Sequence, residues 1–360
     1  MRKFIIAIAL LLGIVFVLAK LAEVQAIIGT LKQGELRYVL LALVVEAAWI
    51  VNVAALYRAI YRAMGLQENT KKLILLSSAA YFVNVVAPSG VGMGGIAVLI
   101  SEARRQGYSS GRVIMAGVLY VLFDYTGFLC VLALGLLVLA RRNNLNSPEL
   151  VASVFLFLVA LALALVIWSG MYSADALGRV LCWAARWINR VLRPFIHREY
   201  LSEKRANLFA REASDGLHQM RRRPHFLFAP ALLTLTSKGL LVLVLSLMFL
   251  SFQIPFSAGT LIAGFSIGYL FMLVSPTPAG IGVVEGMLTL ALGSLHVPIG
   301  AATVVALSYR GITFWAPLLV GMLSFRWVSH GRRIEMLPQM EDGLTTRPDQ
   351  ATPEKERNRI

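Results

Sequence analysis

The sequence predicts an all-α polytopic membrane protein made of two inverted-topology repeats, each with a broken, re-entrant helical hairpin. Three observations carry that expectation. Apolar residues make up 58% of the chain, and the mean hydropathy is +0.72. Residues 4–19, 113–140, 151–168, 226–252 and 299–325 form runs with almost no charge, close to the length a helix needs to cross a hydrocarbon core of about 30 Å. Two glycine-rich strings, VAPSGVGMGG at 86–95 and SPTPAGIGVV at 275–284, interrupt apolar surroundings. Pro88-Ser89-Gly90-Val91-Gly92 matches Pro278-Ala279-Gly280-Ile281-Gly282 position by position.

Charge orders these segments across the bilayer, because Lys and Arg collect in cytoplasmic loops. With Arg2 and Lys3 inside, residues 4–19 run outward and 36–56 return to a loop carrying Arg58, Arg62, Lys71 and Lys72. Arg2, Lys3 and the apolar run also fit a signal peptide, with Val24-Gln25-Ala26 as its cleavage site. The length of the run favours an uncleaved first helix. Residues 73–87 then enter, the chain breaks at Pro88-Ser89-Gly90, and 91–100 return to a loop with Arg104, Arg105 and Arg112. Each limb has room for about 22 Å of helix, short of a full span. A hairpin entering and leaving by the cytoplasmic face follows.

Residues 113–140 run outward and 151–168 return, with Arg141 and Arg142 a mild departure from the charge rule. Residues 226–252 run outward again. The second broken segment therefore starts outside: 259–275 descend, the chain breaks at 276–280, and 281–292 return to a loop without Lys or Arg. The last span, 301–325, ends at Arg326, Arg332 and Arg333. The expected division is a membrane domain over 1–330 and a disordered cytoplasmic tail over 331–360. Within the first, half one covers about 36–168, a cytoplasmic basic segment 170–225, and half two about 226–326. Oppositely oriented halves with discontinuous helices are a recurrent transporter architecture.

In the basic segment, Leu177, Leu181, Ala184, Ile188 and Val191 recur at steps of four and three, opposite Arg179, Arg186, Arg190 and Arg193. That pattern suits a helix on an anionic membrane surface or one packed against the ends of the spans. The net charge of +15, from 34 Lys and Arg against 19 Asp and Glu, is read the same way, as topology and attraction to anionic lipid. No RNA- or DNA-binding motif accompanies it, so nucleic acid is not an expected partner. A homo-oligomer is compatible with this architecture. Cys130 and Cys182 have no paired spacing and the five histidines are scattered, so neither a disulfide nor a metal site is indicated. No Walker loop, HExxH or GxSxG motif occurs, and neither catalysis nor a cofactor is expected.

A break in a membrane helix exposes N–H groups at the start of the second half-helix, an end suited to phosphate. The candidate substrate-binding residues are therefore Pro88, Ser89, Gly90 and Gly92 at the first break, and Thr277, Pro278, Gly280 and Gly282 at the second. Intramembrane charges add Asp124, Glu285 and Arg310, since each is costly unless it has a purpose. Glu46 and Lys238 fall in other spans. Asp124 and Arg310 occupy comparable places after each hairpin. They are expected either as an ion pair joining the halves, or as a phosphate ligand (Arg310) oriented by Asp124 and Glu285, which could also carry protons.

The string from Ser275 to Glu285 resembles the Pro-Gly-Gly-x-Gly-x-x-Glu signature of flippase-like membrane proteins related to the transmembrane region of lysylphosphatidylglycerol synthase, the multiple peptide resistance factor. Asn84 to Gly95 looks like that family's other loop, and the resemblance covers roughly residues 1–330. Ala279 stands where the signature has glycine, and Gly94-Gly95 replace its glutamate side in the first half. The resemblance implies two pseudo-symmetric halves that move phospholipids or lipid-linked, phosphate-bearing precursors between leaflets of a bacterial or archaeal inner membrane. The family's soluble lysyl-transferring domain has no counterpart in these residues, which argues against synthase activity. A small-anion channel or exchanger, and a non-transporting scaffold for an envelope-lipid enzyme, remain open as alternatives.

Overall fold

A computed structural model describes residues 29–86, 93–142, 147–192, 203–222, 224–275 and 277–329. The N-terminal apolar run, the first break with Pro88, Ser89, Gly90 and Gly92, and the tail over 331–360 lie outside the described residues. All regular elements among the described residues are helical: α1 (Leu36–Ala63), α2 (Thr70–Val86), α3 (Met93–Arg105), α4 (Ser110–Arg141), α5 (Ser147–Tyr172), α6 (Ala174–Leu192), α7 (Glu203–Arg222), α8 (Phe228–Ser251), α9 (Ala258–Val274) and α10 (Val283–Ser294). The last, α11 (Ile299–Ser329), carries a π-helical segment at Gly311–Trp315.

Five of these helices, α1, α4, α5, α8 and α11, are long and apolar enough to cross a membrane. Their outer faces agree. Val151, Phe155, Phe157, Leu158 and Leu165 of α5 are all exposed, as are Leu40, Leu41 and Val44 of α1. In water so much exposed apolar surface would aggregate. This is a multi-pass membrane protein.

Among the described residues two large hydrophobic cores divide the molecule along its length, and a smaller third cluster joins Leu139, Ala263, Ile267, Ala291 and Leu295. One gathers the C-terminal half of α1 (Ala54 to Met64), α2, α3, the start of α4 (Val113 to Leu119) and α7. The other gathers the N-terminal half of α1 (Val39 to Val45), the later part of α4 (Phe128, Leu132), α8, α9, α10 and the start of α11. α1 packs most extensively along α8. Polar bonds fix their register: Trp49 Nε1 donates to Ser237 Oγ at 2.9 Å, and Asn52 Nδ2 to the Leu233 carbonyl at 2.9 Å. At the far end Glu35 accepts from Gln253 and from Arg37, both at 2.7 Å. These two bonds, Gln253's first, hold its carboxyl below the usual carboxylate range.

The basic segment folds as two helices where sequence periodicity marks one. α6 lays Leu177 against α7 and the end of α5, near Gly170 and Leu217, while Trp183 stays exposed. α7 is docked by its carboxylate Glu212. That side chain accepts from the Gly111 N–H at 2.7 Å and the Ser109 hydroxyl at 2.8 Å, satisfying orphan donors at the start of α4.

Candidate functional site

The second break is the best-defined irregularity in the membrane region. α9 stops at Val274 because Ser275 turns extended (ψ 137). Ser275 Oγ then accepts from the Thr277 N–H at 3.2 Å, and the Thr277 hydroxyl donates to the Ile281 carbonyl at 3.1 Å. A single 3-10 turn, Pro278–Gly280, bridges to α10. Ala279, Gly280 and Gly282 all have positive φ, at 52°, 71° and 80°. Glycine adopts that region freely, whereas alanine is strained there. A Cβ on Gly280 would also press the α-carbon of Met272 at 3.1 Å, so this position needs glycine twice over. α10 begins at Val283, two residues later than the sequence pattern suggested, with Glu285 in its first turn. A carboxylate there suits the helix dipole.

Arg310, 3% exposed on α11, holds this loop. Its Nε donates to Glu285 Oε1 at 3.0 Å and its Nη2 to the Ala279 carbonyl at 2.9 Å. Two of five guanidinium N–H donors are thereby used. Arg310 also borders a cavity of about 160 Å³ with Trp49, Tyr81, Tyr120, Tyr269, Tyr309 and Val284. A second cavity of about 200 Å³ shares Trp49, Tyr81 and Tyr120 with it and adds Tyr57 and Asn84. Asn84 Oδ1 accepts from the Gly95 N–H at 2.7 Å, capping the start of α3. A Cβ on Gly95 would meet Asn84 Nδ2 at 2.5 Å and the Ala80 carbonyl at 2.7 Å. α2 touches the Pro278–Gly280 turn, so the described part of the first hairpin reaches the second break.

The expected Asp124–Arg310 ion pair is not formed. Asp124 binds Lys238 of α8, Nζ to Oδ1 at 2.6 Å, and accepts from the Tyr269 hydroxyl at 3.0 Å. Lys238, 1% exposed, also donates to the Tyr269 oxygen at 2.5 Å. Matching positions along two helices say nothing about the faces they present. α4 packs against α8 and α9, so a lysine and a tyrosine reach Asp124 first. The two charge clusters still share one wall, since Tyr269 and Arg310 line the same cavity.

Of the candidate residues, Thr277, Pro278, Gly280, Gly282, Glu285 and Arg310 thus converge, with Asp124 across the cavity. Lys238, Tyr269, Trp49, Tyr81, Tyr120 and Tyr309 belong to the site and were not among the candidates. The signal for Lys238 was present as an intramembrane charge. For the others it was an amphipathic aromatic inside an apolar run, far commoner as core.

Two cavities walled by tyrosines, a tryptophan and the buried Arg310, inside a bundle with five membrane-length helices, define a membrane protein with a polar interior site. The chain belongs to the family of the lysylphosphatidylglycerol synthase transmembrane region, whose pattern matches residues 4–321. That places it among membrane-embedded proteins with a lipid-related function. Comparison with curated proteins gives no match.

Proposed function

We propose that this chain is a flippase-like transporter, moving a phospholipid or lipid-linked, phosphate-bearing substrate between leaflets of the cell's inner membrane. One observation carries the reading. Arg310 is buried in a cavity wall with three N–H donors that no described residue accepts. A guanidinium fork so placed matches phosphate oxygens. The cavities suit a headgroup phosphate and are too small for acyl chains, which would stay in the surrounding lipid. A wide crevice of about 750 Å³ lined by Arg58, Arg62 and Phe226 gives an anionic headgroup an approach at the basic end. The reading assigns no chemical reaction to the chain.

It includes two inverted halves with re-entrant hairpins. In support, Leu73 near the start of α2 and Ala103 near the end of α3 share the first core, and Lys72 pairs with Glu102 at 2.6 Å. Leu261 near the start of α9 and Leu292 near the end of α10 share the second core instead. Both sets of contacts fit hairpins that return to the end they came from, at opposite ends of the molecule.

The test is reconstitution in vesicles containing a fluorescent phospholipid, with a membrane-impermeant reductant added outside. The protein should expose inner-leaflet label that protein-free vesicles protect, and Arg310→Gln should restore protection. Protection equal to protein-free vesicles would sink the transport reading. The small cavities also fit a small-anion channel or exchanger. Release of entrapped anion without lipid movement would favour that alternative.

A further inference from the structure

Glu46 is a deeply buried charged group that the site described above does not use. It lies on α1 roughly 15 Å from the helix start, is 1% exposed, and has no hydrogen-bond partner for either carboxylate oxygen among the described residues. It sits one turn before Trp49 and Ile50 and two before Val53, on the face that lines the cavities. The elements packed on α1 supply its charged and titratable neighbours. Tyr81 of α2 and Tyr309 of α11 each lie within electrostatic reach of both Glu46 and Arg310. α8 brings Lys238 and α4 brings Asp124 and Tyr120, but Lys238 and Asp124 are bonded to each other. The π segment of α11 contains no titratable residue, and α7 meets α1 at Met64, at its far end.

The charges then sum simply. Two cations, Lys238 and Arg310, are matched by Asp124 and Glu285. Among the described residues around the cavities, Glu46 is the carboxylate left over. Burying an ionised carboxylate without a partner in a low-dielectric interior is strongly disfavoured, so a proton is the ligand that this site is suited to take. Adding an anionic phosphate at Arg310 makes a second negative charge there still more unfavourable.

From this geometry we infer that Glu46 is a proton-binding site coupled to the anion site at Arg310, so that an anionic headgroup and a proton are bound together. The proton comes from water and rests on a Glu46 carboxylate oxygen; no covalent bond of the substrate changes. By linkage, at pH values where Glu46 is ionised before binding, the headgroup binds more tightly as pH falls, and its binding draws a proton from solution. The inference rests on the transporter reading and supplies its coupling ion.

The experiment uses the full-length protein in uncharged detergent with a pH dye and little buffer. The probe is dihexanoylphosphatidylglycerol, a phosphodiester that does not titrate near neutrality. Binding is followed separately by tryptophan fluorescence, since Trp49 lines both cavities. Over a pH series that extends to where unliganded Glu46 is ionised, wild type should take up protons in step with binding at the alkaline end, where its affinity should fall by up to about tenfold per pH unit. Glu46→Gln should bind with no uptake and no pH dependence; Glu46→Met serves if that variant does not fold. Binding without proton uptake in wild type, or uptake that persists in both variants, overturns the proposal. Failure of wild type to bind at any pH overturns the anion site at Arg310 instead, and the coupling with it.

Discussion

Arg310 donates to the carbonyl of Ala279 at 2.9 Å, so a buried guanidinium on α11 grips the one alanine that the second break forces to positive φ. The same side chain holds Glu285 in the first turn of α10. The turn and the second arm of the broken segment are thus tied to one residue. A change at Arg310 therefore alters the shape of the loop as well as the charge facing the cavity.

The strain at Ala279 is separable from that grip. An alanine in the left-handed region costs about 1 kcal/mol that glycine avoids, while glycine's looser unfolded chain offsets part of the gain. Ala279→Gly should keep transport and raise thermal stability slightly. Ala279→Val, β-branched and harder to place at φ 52, should lower it. Thermal unfolding of the two purified variants checks this, and a gain for valine would mean the turn is relaxed in solution.

How far was this legible in the sequence? The spans from Leu36 onward were, because uncharged apolar runs of membrane length seldom occur in chains that fold in water. The second break was, because Pro278 cannot donate within a helix and Gly280 and Gly282 weaken one, all inside an otherwise apolar run. Arg310 and Glu285 were found as charges where charge is costly, but their pairing was not. Asp124 was matched to Arg310 by place along the chain, whereas contact depends on which face each helix turns inward. Over 170–225, α7 was missed since its surface is mostly polar and its anchor, Glu212, makes sense only beside the N-terminus of α4. The aromatic walls were invisible for a related reason: Tyr81, Tyr120 and Tyr269 come from three helices and form a cavity only once these pack.

Lys238, Asp124 and Tyr269 form a closed set, and removing one member should leave a buried charge exposed to apolar surroundings. Lys238→Met alone should cost roughly 3–5 kcal/mol, most of which Asp124→Leu in the same chain should recover. Tyr269→Phe removes two bonds to charged groups and should cost about 2 kcal/mol. Folded abundance in the membrane and thermal midpoint report all three. Additive losses in the double variant would show that the two charges do not depend on each other.

The proposed inverted hairpins predict opposite accessibility. In a background without Cys130 and Cys182, Gln106→Cys after α3 should react with an impermeant maleimide only from the side of Arg104 and Arg105. Ser294→Cys at the end of α10 should react only from the other side. Labelling of intact cells against inverted vesicles gives the answer. Reaction of both from one side would remove the inverted arrangement and leave two unrelated kinks.

The last prediction separates Arg310 as a ligand from Arg310 as a brace. Arg310→Gln leaves Glu285 buried without its cation, so abundance should fall along with transport. Adding Glu285→Gln removes the stranded charge and should restore abundance. If the guanidinium binds phosphate, transport in that double variant should stay at background, because neither glutamine carries the positive fork. Arg310→Lys keeps a cation for Glu285 but cannot also reach Ala279 in the same bidentate way. It should fold, and move lipid at least about tenfold more slowly, a loss of some 1.4 kcal/mol in transition-state terms. Pairing Arg310→Gln with Asp124→Asn instead should recover nothing, since Asp124 belongs to Lys238. The decisive measurement is lipid movement per folded protein in vesicles across this set. Wild-type rates in the Arg310→Gln, Glu285→Gln chain would make the arginine a structural brace and leave the phosphate without a ligand.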